Sequence, residues 1–238
     1  MRITTWKRLP SDRILMDDSI LHELPARSDE YGNVGAKISA LMLYIAIGLC
    51  AEEEEEEEEG ESSRFLRASP TYDELQNLTG LSRPLISTAL SVLEGLQLIE
   101  RKQKGRSVVY QLTGYNYGKG WCKVPCRALS KRVGERVQIE PFLHFSKRAR
   151  VELHALKMFL YLLAIRNNNS AESEVSYDTI AKRTGIPRKD IRKAGTFLFS
   201  SGLLSNIKKS GYQDSGESEH EGGANKYYVT GFKDLLIR

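Results

Sequence analysis

The chain has 238 residues, 40% of them hydrophobic, which is enough to build globular cores without disulfides or metal. Its three cysteines, Cys50, Cys122 and Cys126, are too few and odd in number for a disulfide scaffold and fit a reducing cytoplasm. The net charge of +4 conceals a contrast: Glu52–Glu59 is a run of eight glutamates, and with it set aside the remainder stands at +12, a balance that suits a polyanionic partner.

The opening residues are polar and charged, with no signal-peptide core. Trp6-Lys7-Arg8-Leu9-Pro10 reads as a strand-like leader whose Trp and Pro pack on the core of their own domain. Ile38–Ala51 is the most apolar stretch. It is too short to span a bilayer and reads as a buried helix, able to pack within its domain or against a second copy of the chain in a homodimer. No membrane partner is expected. The glutamate run that follows repels itself and is expected to be a solvated, disordered loop.

Thr71 with Glu74 three residues on is a capping box, so a helix starts there. Leu75 and Leu78 give it an apolar stripe, and Gly80 ends it. Ser82 is expected to cap the next helix, with Pro84 tolerated in its first turn. Ile86, Ala89, Leu90, Leu93 and Leu96 form the apolar face of that second helix, while Arg83, Ser87, Thr88 and Ser91 form a polar face able to lie against base edges and phosphates. Residues 98–112 then read as a β-hairpin around a Lys-Gly-Arg turn. A basic hairpin directly after a helix-turn-helix is a wing, and Arg101, Lys102, Lys104 and Arg106 would sit beside phosphate or the minor groove.

The unit is then repeated. Tyr72-Asp73-Glu74-Leu75 through Gly80-Leu81-Ser82-Arg83 returns as Tyr177-Asp178-Thr179-Ile180 through Gly185-Ile186-Pro187-Arg188, at an offset of 105. The leader returns as Trp121-Cys122-Lys123-Val124-Pro125, and Ala40–Ile45 as Ala155–Leu160, both at offset 115. Such self-similarity divides the chain into two tandem domains, 1–117 and 118–238. Between the two copies, Tyr115–Arg150 is basic and is expected to supply nonspecific phosphate contacts. In the second copy the reading helix carries Arg188, Lys189, Arg192 and Lys193, and Lys208 and Lys209 open its wing. The tip of that wing, Gly211–Ala224, holds Asp214, Glu217, Glu219 and Glu221 among glycines and serines. It is expected to be mobile and suits a protein partner better than DNA.

There is no phosphate-binding loop, dinucleotide fingerprint, zinc-protease motif or nucleophile elbow, and His22, His144, His154 and His220 do not cluster with cysteines or carboxylates. Neither enzymatic activity, nor a cofactor, nor a metal is expected, and His154 reads as structural.

Tyr72-x-x-Leu75-x-x-Leu78-Thr79-Gly80-Leu81-Ser82-Arg83, with a Leu-Ile helix end and a basic hairpin behind it, resembles the winged helix-turn-helix superfamily. The doubled unit with its Trp/Pro leader is similar to bacterial plasmid and phage replication initiators, which carry two winged-helix domains in tandem. The resemblance implies a mainly α fold with small β-hairpin wings, an α+β class. It also implies a sequence-specific double-stranded DNA binder in transcription control or replication initiation, cytoplasmic and associated with the nucleoid, spanning sites about 10 bp apart. Tandem winged helices also occur in accessory subunits of chromosome-condensing complexes, which implies a protein-interaction module as the alternative. Within the DNA-binding expectation, the glutamate run would act as a DNA mimic folded over the basic face.

Overall fold

The computed structural model describes residues 3–58, 61–209 and 223–237. The first half runs β1 (Trp6–Pro10), α1 (Asp12–Leu15), α2 (Val34–Cys50), β2 (Glu52–Glu58), β3 (Glu61–Ala68), α3 (Tyr72–Thr79), α4 (Arg83–Gly95), β4 (Ile99–Lys104) and β5 (Ser107–Leu112). The second half begins with β6 (Trp121–Pro125), α5 (Cys126–Leu129), β7 (Ser130–Val133), β8 (Arg136–Ile139) and a 3-10 turn, Glu140–His144. It continues through α6 (Arg150–Ile165), β9 (Ser173–Val175), α7 (Tyr177–Thr184), α8 (Arg188–Ser200), β10 (Leu204–Lys208), β11 (Asn225–Val229) and α9 (Phe232–Leu235).

The fold is mixed α+β, 42% helical and 28% strand, with small antiparallel sheets. That is more strand than two hairpins in a mainly α chain would supply. The excess comes from strands outside the two expected hairpins: the glutamate run and its partner β3, the paired leaders, the β7–β8 hairpin and β9.

α2 is apolar around its whole circumference, as a helix enclosed on all sides must be. Every residue from Ala36 to Leu49 is buried, and the Asn33 side chain caps its first turn by accepting from the Ala36 amide at 3.0 Å. It packs on α4 within its own half and on α6 of the other. One contiguous cluster of buried side chains therefore runs from Leu9 and Leu43 to Leu156 and Phe159. Contact across the seam is close: a Cβ on Gly35 would lie 2.7 Å from the Lys147 carbonyl oxygen, so a side chain there would collide with backbone.

The leaders lie on the cores of their own halves as expected, β1 on α2 and β6 on α6, and they also pair with each other. The register is symmetric: Trp6 lies opposite Pro125, Arg8 opposite Lys123 and Pro10 opposite Trp121. Two short edge strands satisfy their backbone groups more completely together than either does against helices.

The glutamate run also corrects the sequence reading. Glu52–Glu58 is a strand, hydrogen-bonded to β3 from Glu52 opposite Arg67 onward, at the edge of the sheet β2-β3-β5-β4. Alternation sends successive glutamates to opposite faces, and cations meet them there. Glu52 pairs with Lys7 at 2.5 Å, Glu53 with Arg8 at 2.5 Å and Arg64 at 3.2 Å, and Glu54 and Glu56 with Arg67. Local neutralisation replaces the self-repulsion on which the loop expectation rested. These ion-pair partners lie outside the candidate DNA-binding residues, while the charges of Lys102 and Lys104 in the β4–β5 hairpin also act on Glu56. Among the described residues no helix is long and apolar enough to cross a membrane. The acidic segment with Asp214, Glu217, Glu219 and Glu221 lies outside the described residues, as does His220.

Candidate nucleic-acid interface

The segments α3–α4 and α7–α8 share several local bonds. Before α3, Thr71 Oγ1 accepts from the Glu74 amide at 3.2 Å while Glu74 accepts from the Thr71 amide at 2.8 Å, the expected capping box. Before α7, Ser176 Oγ accepts from the Thr179 amide at 3.1 Å. Both helices end on a left-handed glycine, Gly80 at φ 66° and Gly185 at φ 66°, a conformation that glycine adopts without a Cβ penalty. Thr79 and Thr184 each donate to the carbonyl four residues back, at 2.6 Å, and accept from the amide two residues on, at 3.2 Å. An ion pair then ties each first helix to its second: Arg83 Nη2 to Asp73 and Arg188 Nε to Asp178, both at 2.6 Å.

In α4 the apolar face lies as the spacing predicts, with Ile86, Ala89, Leu90, Leu93 and Leu96 all buried. Arg83, Ser87, Thr88 and Ser91 are exposed together on the other face. Thr88 and Ser91 donate back to the carbonyls of Pro84 and Ser87, which leaves oxygen lone pairs directed outward as acceptors. Ser82 occupies the N-cap position, yet its side chain makes no capping bond, contrary to expectation. In the hairpin β4–β5, Lys104 and Arg106 flank Gly105 at the tip, and Lys102 stands 3.8 Å from Glu100. Arg101 differs from its neighbours: Glu94 at the end of α4 grips its guanidinium through two hydrogen bonds and holds its pKa above the ordinary value. It is a brace between helix and hairpin rather than an open cation.

The second unit keeps its charge open. Ile191, Ala194 and Leu198 are buried, while Lys189, Arg192 and Lys193 are exposed on α8 with no ion pair among the described residues. Lys208 lies 5.5 Å from the centre of the Tyr228 ring, and Lys209 is exposed beside it. His154 behind α8 is buried, with Nδ1 3.9 Å from Asp190, and burial lowers its pKa, so it is a packed neutral imidazole rather than a surface contact.

No family model, curated protein or solved structure gives a significant match to this chain.

The arrangement offers two second helices with open polar faces, unequal in charge. α4 presents hydroxyls and one paired arginine; α8 presents three cations, Lys189, Arg192 and Lys193, without an ion pair among the described residues. Hydroxyls and arginine can read base edges, and lysines can hold phosphates as point charges. Among the described residues no group of His, Cys, Asp or Glu is arranged to hold a metal ion. Each half also sends a segment across to the other half's first helix. Asp17 pairs with Arg183, and His22 Nε2 lies 2.8 Å from the Lys182 carbonyl oxygen, both on α7. In return β8 lies on α3. A groove of about 710 Å³ runs between them, lined by Asp73, Gln76, Asn77, Ser82, Arg136 and Leu143. The sequence reading missed this hairpin, although β-branched residues alternating around Val133-Gly134 and Val137 were its signal.

Proposed function

We propose that the chain is a sequence-specific double-stranded DNA-binding protein made of two winged-helix units, acting as a transcription regulator or replication initiator. The observation that carries this reading is the matched pair of helix-turn-helix units, each followed by a hairpin with exposed cations at its tip or base. In this reading α4 and α8 enter successive major grooves. Lys102, Lys104 and Arg106 lie along phosphate or the minor groove, and Lys208 and Lys209 do so for the second unit. Specific readout comes from Arg83, Ser87, Thr88 and Ser91 in the first unit, while Arg188, Lys189, Arg192 and Lys193 contribute mostly phosphate affinity. The symmetric register of β1 on β6 supports half-sites in inverted rather than direct orientation, since an approximate two-fold relation between readers asks for the same relation between sites.

Selection from a random duplex library at two salt concentrations tests this. The expected result is an enriched motif of two inverted half-sites about 10 bp apart, with affinity falling steeply as salt rises. Salt-dependent binding without enrichment would reduce the protein to an architectural DNA binder. Absence of binding at both salts would sink the reading.

One observation favours a second reading, a protein-interaction module. Two of the first unit's arginines are already occupied, Arg83 by Asp73 and Arg101 by Glu94. Reversing the charge of Arg188 and Arg192 separates the two: a DNA reader loses affinity and salt dependence, and an interaction module keeps its partner.

A further inference from the structure

The β7–β8 hairpin belongs by chain order to the second half and rests on α3 of the first. Its turn is tight, with Gly134 at φ 60°. Lys131 is committed to Glu140 at 2.7 Å. Arg132 and Arg136 are exposed and have no ion-pair partner among the described residues. Arg136 lines the groove beside the turn that leads into α4, together with Gln76, Asn77 and Ser82. The two crossing segments are opposite in charge. The segment that covers the cation-rich second unit brings a carboxylate, Asp17, to Arg183. The segment that covers the cation-poor first unit brings arginines.

We propose that the β7–β8 hairpin is a phosphate clamp acting across the seam, in which Arg136 holds the DNA backbone flanking the groove that α4 enters; Arg132 lies on the opposite face of the hairpin, across from Val137, and takes no part. The proposal rests on the DNA-binding reading above. α4 has one arginine of its own at this end, and Asp73 already occupies it, so its hydroxyl face lacks the cation needed to fix it against a duplex. A guanidinium group on a short two-stranded hairpin supplies that anchor with little loss of side-chain freedom, and it binds phosphate through paired N–H donors. Contacts of this kind set the register of a reading helix without reading sequence themselves.

The test uses the full chain and a random-sequence duplex of about 30 bp, with the binding constant followed across salt concentration. Arg136→Gln is compared with Lys233→Gln, which removes the same charge from an exposed position elsewhere. The hairpin variant is expected to lose about one unit of salt slope, near 0.9 per phosphate contact, and about threefold or more in low-salt affinity. The control should keep nearly all of both. Arg136→Lys should restore most of the slope, because a phosphate contact needs a cation where a packing role needs a guanidinium. A hairpin variant that matches the control while the wild type binds would overturn the clamp alone. Lysine that fails to restore the slope would do the same. A wild type that binds no duplex at any salt would overturn the DNA-binding reading, and the clamp with it.

Discussion

Trp6 and Trp121 stack across the seam between the halves, with ring centroids 6.1 Å apart and planes within 8° of parallel. Arg8 lies over both rings, 5.9 Å from Trp6 and 4.9 Å from Trp121. The indole N–H of Trp6 donates to the Ile237 carbonyl at 3.0 Å, so the stack also ties the end of the described chain to its beginning. Aromatic pairs of this kind stabilise beyond the area they bury.

The seam should therefore unfold with everything else. In a denaturant titration, tryptophan fluorescence, which reports only the seam, and far-UV circular dichroism, which reports all the helices, are expected to follow one transition. Trp121→Ala should lower the unfolding free energy by about 2 kcal/mol, less than a fully enclosed ring because both indoles are half-buried. A fluorescence change well before the loss of helix would mean that the halves part first.

Lys157 should make stability depend on pH. Its side chain is buried, with a single hydrogen bond at 3.2 Å to the Leu24 carbonyl across the seam. Burial, with the Lys37 ammonium as the lesser cause, lowers its pKa from 10.5 to about 7. Between those values the unfolded chain binds more protons than the folded one, so this residue makes stability rise as pH rises from about 7 to about 10.5. Below that window both states are protonated and the full cost of a buried ammonium remains. Lys157→Met is expected to stabilise by roughly 1–3 kcal/mol at about pH 6, with the gain shrinking toward pH 10. A gain that stays constant across chemical denaturation curves at those two pH values would refute the assignment.

Asp73 should restrain DNA binding. It holds Arg83 at 2.6 Å, and both side chains are exposed. Asp73→Asn releases the guanidinium, so affinity for a random duplex should tighten about threefold to tenfold at low salt, with the salt slope steeper by about one. Stability should fall by less than about 1 kcal/mol, since exposed ion pairs contribute little. Unchanged affinity would remove Arg83 from the interface.

Arg67 should hold the glutamate strand in place. Its side chain is largely enclosed, and it bonds Gln111 at 2.9 Å as well as Glu54 and Glu56. Arg67→Ala leaves two glutamates on one face without their cation. Amide exchange is expected to speed up along residues 52–58 while α4 and β5 keep their protection. Equal protection in wild type and variant would show that backbone pairing alone keeps the strand.

Much of the candidate interface was legible in sequence, because it is local. A capping box is a relation between Thr71 and Glu74, three residues apart; the left-handed turn needs only Gly80; the exposed and buried faces of α4 and α8 follow from helical spacing. All three lie in the structure as the spacing requires. Within the same region the reading failed at one cap: Ser82 makes no capping bond. It also did not foresee that Arg101, exposed as it is, would bond Glu94.

The helices α3, α4, α7 and α8, the β4–β5 hairpin and the unequal charge of α4 and α8 followed from short-range pattern, since helix periodicity, capping and turn chemistry are settled within a few residues of chain. What tertiary structure alone decided lies between segments far apart in sequence. Trp6 meets Trp121, Glu53 meets Arg8, and β8 crosses to cover α3. The physical reason is the same in each case. Edge strands and runs of like charge have no stable partner nearby, so their free energy is lowered by whichever unpaired strand or cation the packed core brings within reach. No local pattern encodes which one that will be.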